Sequence, residues 1–402
     1  MKILIVNSYY YPEIEGGAEI SVKKLAEGLA KKGNEVSVLC TYSSDIEEET
    51  EGVKIYRFKP KNVGRAKEAS GFSAYKKIRR RIQDIYNPHN RQIISNIVNK
   101  VQPDVIHTNG LYDITPVIWD VAKKAKIPVV HTFRDYFLAC PRVNLRCKKC
   151  NGECVNPDGF CKIHRNSNIK RIKSVSYFTA PSAFILNKMC FLMKLGTFEN
   201  KAVVQNALDY DVESVNKTVT EKAGRRNKGL VFFFSGTFSE EKGVKVLLDA
   251  FEQMQDTGAY LWFAGKGPLE GLINERAEKN RAIINLGFLT EEELGKKISE
   301  ADILCCPSLW DEPFGRVVLD AYKYGMPVIC SDKGALTDIV KDGKTGTVVY
   351  DIDAKKLESA MRQYFDDDIR VSRITGTEKE IVKYRLDTQI DRFIQIYEKV
   401  CR

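Results

Sequence analysis

Short apolar runs alternate along this chain with segments whose apolar residues recur at helical spacing. ILIVNS (3–8) is a continuous apolar run, and AEISVKKLAEGLAKKG (18–33) then repeats its apolar positions at i, i+3 and i+4. Gly33 closes that helix as a C-cap. EVSVLCT (35–41), VKIYRFK (53–59), DVIHTN (104–109), PVVHTF (128–133) and YFTAPSA (177–183) read as further strands, with helices expected at 93–101 and 114–125. A second series begins near 229. GLVFFFSG (229–236), AYLWFAG (259–265), AIINLGF (282–288), ADILCCPS (301–308), MPVICSD (326–332) and GTVVY (346–350) read as strands, with a helix from Gly243 to Met254 after the first. Apolar strands without alternation, each followed by a helix, predict parallel sheets covered on both faces. The polar stretch KTVTEKAGRRNKG (217–229) reads as a linker. The expectation is an N-terminal domain over 1–195, a C-terminal domain over 200–375, and a C-terminal helix over 376–402 that either stays with the second domain or crosses back to the first.

Ligands in open α/β sheets bind beyond the carboxyl ends of the strands, so the loops after strands hold the candidate chemistry. PEIEGGAE (12–19) puts Gly16 and Gly17 at the start of the first helix, where free amides suit an anion. SGTFSEEKG (235–243) places Thr237 after a strand and Lys242 at a helix start, a point charge suited to phosphate. AGKGP (264–268) supplies small residues, and INLGFLT (284–290) leaves Gly287 and Phe288 at a strand end, as either a base-binding lip or only a turn. EPFGRVVLD (312–320) sets Glu312 and Asp320 eight positions apart, around a glycine that opens a helix. At about 100° per residue, eight positions leave two helical side chains roughly 80° apart, on one broad side of the element.

Charge and cysteines add detail. The chain has 402 residues and a net charge of +10, which suits anionic partners. Residues 59–81 hold nine Lys/Arg and one acid, Glu68, interleaved with Phe72 and Tyr75. A solvated face and an anionic-membrane patch are equally served by that composition. No apolar run is long enough to span a bilayer. MKILIVNS is too short for a signal-peptide core, so the expectation is a cytoplasmic protein, peripheral at the inner membrane face. No nucleic-acid recognition motif accompanies the charge. Cys147, Cys150, Cys154 and Cys161, with Cys140 and His164 beside them, have chelating spacing. A structural zinc is expected, with an iron–sulfur cluster the lesser alternative.

Taken in order, GGAE, PDVIH, APSA, QNALD, GTFSEEKG, AGKGP, INLGFL, EPFG-x4-D and GMPVICSDKGALTDIV resemble the retaining glycosyltransferases of family 4, over nearly the whole chain. The resemblance implies the GT-B fold, two Rossmann-like doubly wound domains facing an interdomain cleft. It implies sugar transfer from a nucleotide diphosphate donor to a sugar or lipid-linked hydroxyl acceptor, in cell-surface polysaccharide or glycolipid assembly, without a catalytic metal. By the same resemblance Glu312 contacts the sugar, Asp320 the ribose, and Lys242 and Arg316 the diphosphate. Gly16, Gly17, Thr237, Leu289, Phe314, Gly315, Val317 and Val318 complete the donor site. Asp320 stands where Glu is usual, and Thr237 where many members carry Arg. Family members often have a histidine in the first domain; the nearby positions are His107, Asn109, Arg134 and Asp135. His107 is taken as a catalytic candidate, the other three as acceptor-side residues, although a histidine inside an apolar strand is more often a core residue. A sugar-nucleotide epimerase and a non-catalytic nucleotide-sugar-binding member are the competing readings.

Overall fold

The apolar runs form strands buried on both faces, which is why they lack alternation. Ile3, Leu4, Ile5 and Val6 are all fully buried in the first of them. The computed structural model describes residues 1–14, 16–146, 153–225 and 229–402. The chain divides into two compact units, Met1–Asn206 with Leu386–Arg402, and Ala207–Arg385.

The first unit is built on strands β1 (Lys2–Val6), β2 (Glu35–Thr41), β3 (Ile46–Thr50), β4 (Val53–Phe58), β5 (Val105–Thr108), β6 (Val129–Thr132), β7 (Tyr177–Ala180) and β8 (Lys201–Val203). Their order is β3-β4-β2-β1-β5-β6-β7-β8. All neighbours are parallel except β3, which is antiparallel to β4. The sequence reading missed β3. Its residues IEEET are all exposed, so no apolar pattern marks it. The signal was the turn, where Glu51 and Gly52 both have positive φ, at 52° and 73°.

The second unit carries β9 (Val231–Ser235), β10 (Tyr260–Ala264), β11 (Ile283–Gly287), β12 (Ile303–Cys306), β13 (Val328–Ser331) and β14 (Gly346–Val349). The order is β11-β10-β9-β12-β13-β14, parallel throughout. The stretch read as a linker is mostly a helix, Val212–Ala223. Asp211 caps it by accepting from the Ser214 amide at 2.7 Å. Val215 and Val219 are buried against the second unit's core. Glu213, Lys217 and Glu221 on the outer side hid that stripe, and so did Lys222, which is buried with its ammonium on the Ile298 and Ala301 carbonyls. Residues 226–228 lie outside the described residues.

The tail crosses back, but only from Leu386. Its helix, Leu386–Cys401, buries Ile390, Phe393, Ile396 and Tyr397 in one cluster with Ile3, Ile5, Val22 and Leu25. Gly28 permits the approach, because a Cβ there would lie 2.2 Å from Ile390 Cδ1. Residues 376–385 stay in the second unit.

His107 belongs to this core, which corrects its candidacy as a catalytic residue. It is fully buried, with Nδ1 2.7 Å from the Tyr397 hydroxyl and Nε2 2.7 Å from Thr132 Oγ1. Phe393 packs on its ring at 4.9 Å. His131 is enclosed likewise, between Trp119 and Phe133. Burial holds both rings neutral, His107 well below the usual histidine range and His131 down to about 3. An unfolded histidine titrates near 6.5, so the unfolded chain binds more protons below that pH. The stability gained by keeping the rings neutral is present above about pH 6.5 and is lost as pH falls towards 3. Unfolding free energies from urea titrations should therefore lose a contribution from each histidine between pH 7.5 and pH 5, about 1–2 kcal/mol for His131. His131→Gln should flatten that slope.

Candidate active site

Lys242 and Glu312 lie 70 positions apart and meet in the second unit. Lys242 ends a short turn, Glu240–Lys242, in the loop after β9. Glu312 lies in the loop after β12. Two backbone contacts bring the loops together. Leu309 N donates to the Glu241 carbonyl at 2.8 Å, and Gly243 is held so close to the Pro307 carbonyl that a Cβ would lie 1.9 Å from its oxygen. A third contact fixes Glu312 itself, whose carbonyl accepts from the Ala335 amide at 2.8 Å.

The Glu312 side chain is only 5% exposed as a residue, so a lone charge there would be costly. Three donors converge on its Oε1: Lys242 Nζ at 2.6 Å, Ser308 Oγ at 2.7 Å and Trp310 Nε1 at 2.9 Å. Oε2 takes part in none of the three, and so has capacity for a ligand hydroxyl. The Lys242 ammonium also lies 5.2 Å from the Trp310 ring centre. Burial works against that ammonium, but the adjacent Glu312 carboxylate outweighs it, so the lysine titrates above its ordinary range. Nearby Cys306 is no nucleophile: burial first, and then the Glu312 charge, push its thiol up to about 12.

The helix Arg316–Lys323 starts beside this pair. Gly315 is its N-cap, with φ 88° and ψ 56°, a conformation that disfavours other residues. No side chain caps the helix, and its first amides suit an anion. Glu312 precedes the helix, so the helical offset expected between it and Asp320 does not apply. Asp320 faces Arg316, 3.8 Å away on the same helix, and its side chain is 28% exposed. Burial raises the Asp320 carboxyl, and Arg316 offsets only part of that. Arg316 thus already has a carboxylate neighbour, which the sequence reading did not anticipate. The Phe314 ring is buried in the second unit's core against Tyr384, so this position offers its backbone to a ligand and not its ring. Val318 is likewise buried, and Val317 is half-buried. Thr237 is exposed at the end of β9. Leu289 packs half-buried on the core, while Phe288 beside it is exposed under the Lys266 ammonium, 5.0 Å from the ring centre.

In the first unit, Gly16 and Gly17 open the helix Gly17–Lys31 as expected. The Gly16 amide is already used, donating to Glu19 Oε2 at 2.9 Å. Asn109, Arg134 and Asp135 do come together, after β5 and β6. Arg134 donates from Nε to Asn109 Oδ1 and from Nη1 to Asn206 Oδ1, both at 2.7 Å. Asp135 accepts from the Phe137 amide at 2.7 Å and from the Tyr112 hydroxyl. Burial still raises its carboxyl. These residues line a pocket with Leu111, His131 and Phe137. Tyr112 has no mark in its local sequence, and Asn206, although it lies in the QNALD stretch that carries the resemblance, has no role assigned from sequence. Their place at the spatial ends of β5, β6 and β8 marks them.

Of the expected metal ligands, Cys147 and Cys150 lie outside the described residues. Cys154 and Cys161 are half-buried, and Cys140 is buried. Among the described residues, no three His, Cys, Asp or Glu side chains are grouped to hold a metal.

Two units of parallel-strand α/β architecture with this loop site define a glycosyltransferase of the GT-B fold. The chain belongs to the glycosyltransferases of family 4: residues 15–195 match the model for Glycosyltransferase Family 4, and residues 215–380 that for Glycosyl transferases group 1. A 42.6 kDa protein of the Klebsiella pneumoniae cps region is 30% identical over 349 residues, covering 84% of this chain and 87% of that one. Alpha-monoglucosyldiacylglycerol synthase of Acholeplasma laidlawii is 24% identical over 365 residues, 86% of this chain and 84% of that one. The Anabaena Alr3699/HepE structure in complex with UDP has the same fold, with a TM-score of 0.70 and 15% identity over 99% of this chain and 100% of that one.

Proposed function

We propose that this enzyme transfers a sugar, with retention of anomeric configuration, from a nucleotide diphosphate donor to a hydroxyl on a saccharide or lipid-linked acceptor. The observation that carries this is the buried Glu312–Lys242 pair beside the uncapped start of helix Arg316–Lys323. A departing diphosphate needs its growing charge met by donors already in place. The Lys242 ammonium and the amides from 316 supply them, with Arg316 adjoining. Glu312 Oε2 is suited to a sugar hydroxyl, and Asp320 to a ribose. The cps-region and glycolipid-synthase relatives support a role in polysaccharide or glycolipid assembly, at the cytoplasmic face of an anionic membrane. The test is release of nucleoside diphosphate from sugar nucleotides, with UDP-glucose first because HepE was crystallised with UDP. Binding without turnover, or epimerisation without release, overturns the proposal.

We also propose a structural zinc, held by Cys147, Cys150, Cys154 and Cys161 or with Cys140 and His164 among the ligands. One observation fits. His164 Nε2 donates to the Phe137 carbonyl at 2.7 Å, which leaves Nδ1 a buried lone pair with no hydrogen-bond partner. Elemental analysis should find about one zinc per chain. Protein purified without chelator and free of metal refutes it.

A further inference from the structure

The helix Ala74–Ile85, AYKKIRRRIQDI, presents to solvent the side that amphipathic helices ordinarily bury. Tyr75, Ile78 and Ile82 follow i, i+3, i+7 spacing and so share one face. They are 69%, 58% and 58% exposed. The buried residue of this helix is a charged one, Arg80, 3% exposed. Its guanidinium pairs with Asp84 at 2.9 Å and with fully buried Asp113, and donates to the Gly64 carbonyl. Asp113 is held in turn by the Ala66 amide, Asn62 and Tyr9. The ionic side is therefore locked inward, and the apolar stripe is held outward by the same contacts.

Lys76, Lys77, Arg79 and Arg81 are exposed on this helix, and Arg79 lies over the Tyr75 ring at 5.8 Å. The helix has one carboxylate, Asp84, and Arg80 engages it. The neighbouring helix, Gly159–Arg171, adds Ile163, 60% exposed. An apolar stripe edged by lysine and arginine, with a tyrosine at its end, matches the requirements of an interfacial helix on anionic lipid. A protein partner would leave four cations to be matched individually; a sheet of anionic headgroups meets them without register.

We propose that this face docks the enzyme on an anionic bilayer, with Tyr75, Ile78 and Ile82 entering the headgroup–acyl boundary. Arg65 and Arg80, counted in the basic patch of the sequence, take no part, since both are buried in ion pairs with Glu13 and Asp113. The inference rests on the proposed membrane setting, and its test is separable from the transferase reading.

Full-length protein is floated with vesicles of phosphatidylcholine, or of equimolar phosphatidylcholine and phosphatidylglycerol. It should bind the anionic vesicles, and added salt should weaken binding. Ile78→Ser with Ile82→Ser should lower binding about tenfold or more, and Arg79→Gln with Arg81→Gln comparably. All four sites are exposed, so thermal melting and donor hydrolysis in solution should not change. Equal binding to neutral vesicles, unchanged binding by the isoleucine variant, or no vesicle binding overturns the proposal. So does a concentration-dependent dimer that the isoleucine variant abolishes in the absence of lipid binding. Loss of donor hydrolysis in wild-type protein with vesicle binding intact would overturn the transferase reading alone.

Discussion

Glu312→Gln should lower nucleoside diphosphate release from the sugar donor by about a thousandfold, with the fold intact. Glutamine keeps the length of the side chain and can still accept from Ser308 and Trp310. It removes the charge opposite Lys242, 2.6 Å away. In the proposed reaction this carboxylate meets the sugar, and losing it costs the transition-state contact. The remaining ammonium then has no counter-charge in a mostly buried place, where burial alone lowers its pKa. A second readout follows from this. The alkaline limb of the pH–rate profile should move to lower pH in the variant, because in the proposed reaction protonated Lys242 is the form that meets the diphosphate. A variant that keeps wild-type turnover would remove Glu312 from the chemistry.

Gly243→Ala should cost about 3 kcal/mol of stability or more, and abolish most turnover. The φ at this position is 74°, which by itself costs an alanine about 1 kcal/mol. The larger part is steric. The new Cβ would lie 1.9 Å from the Pro307 carbonyl oxygen and 2.8 Å from its carbon, both backbone atoms of the loop that carries Ser308, Trp310 and Glu312. Either the unit opens there or the loop moves, and in both cases Lys242 separates from Glu312. Gly343→Ala is the control. Its φ is 70° and no atom lies within 4 Å of the added Cβ, so it should cost only about 1 kcal/mol and spare activity. Urea midpoints and nucleotide release of the two variants separate the backbone penalty from the collision.

Much of the fold was legible because it follows from burial. ILIV and VFFF are apolar without alternation since both faces of each sheet are covered, and such strands with intervening helices leave little freedom in topology. Edge and surface elements were the misses. β3 is entirely exposed, and the helix Val212–Ala223 shows Glu213, Lys217 and Glu221 outward, with only Lys222 of its charged residues buried. Burial leaves no mark on residues it does not touch. The site was legible in part. Lys242, Gly315 and Glu312 stand at loop positions after strands, a place any open α/β sheet makes available. His107 was misplaced because a histidine in a strand looks the same whether its partners are ligands or, as here, Tyr397 and Thr132. Tyr397 lies 290 positions away, beyond any local pattern.

The sequence by itself determined two parallel α/β units, their order, and the loops after strands that hold the candidate chemistry. Those properties depend on periodicity and on glycines at turns, both of which are local. Only the tertiary structure decided which charges are paired and which face outward. It joins Lys242 to Glu312, turns Arg316 towards Asp320, withdraws Arg65 and Arg80 into ion pairs, and leaves Tyr75, Ile78 and Ile82 on the surface. The reason is physical. A charge's partner is set by which loops the packed sheet brings within a few ångströms, and that distance is written nowhere in the spacing along the chain.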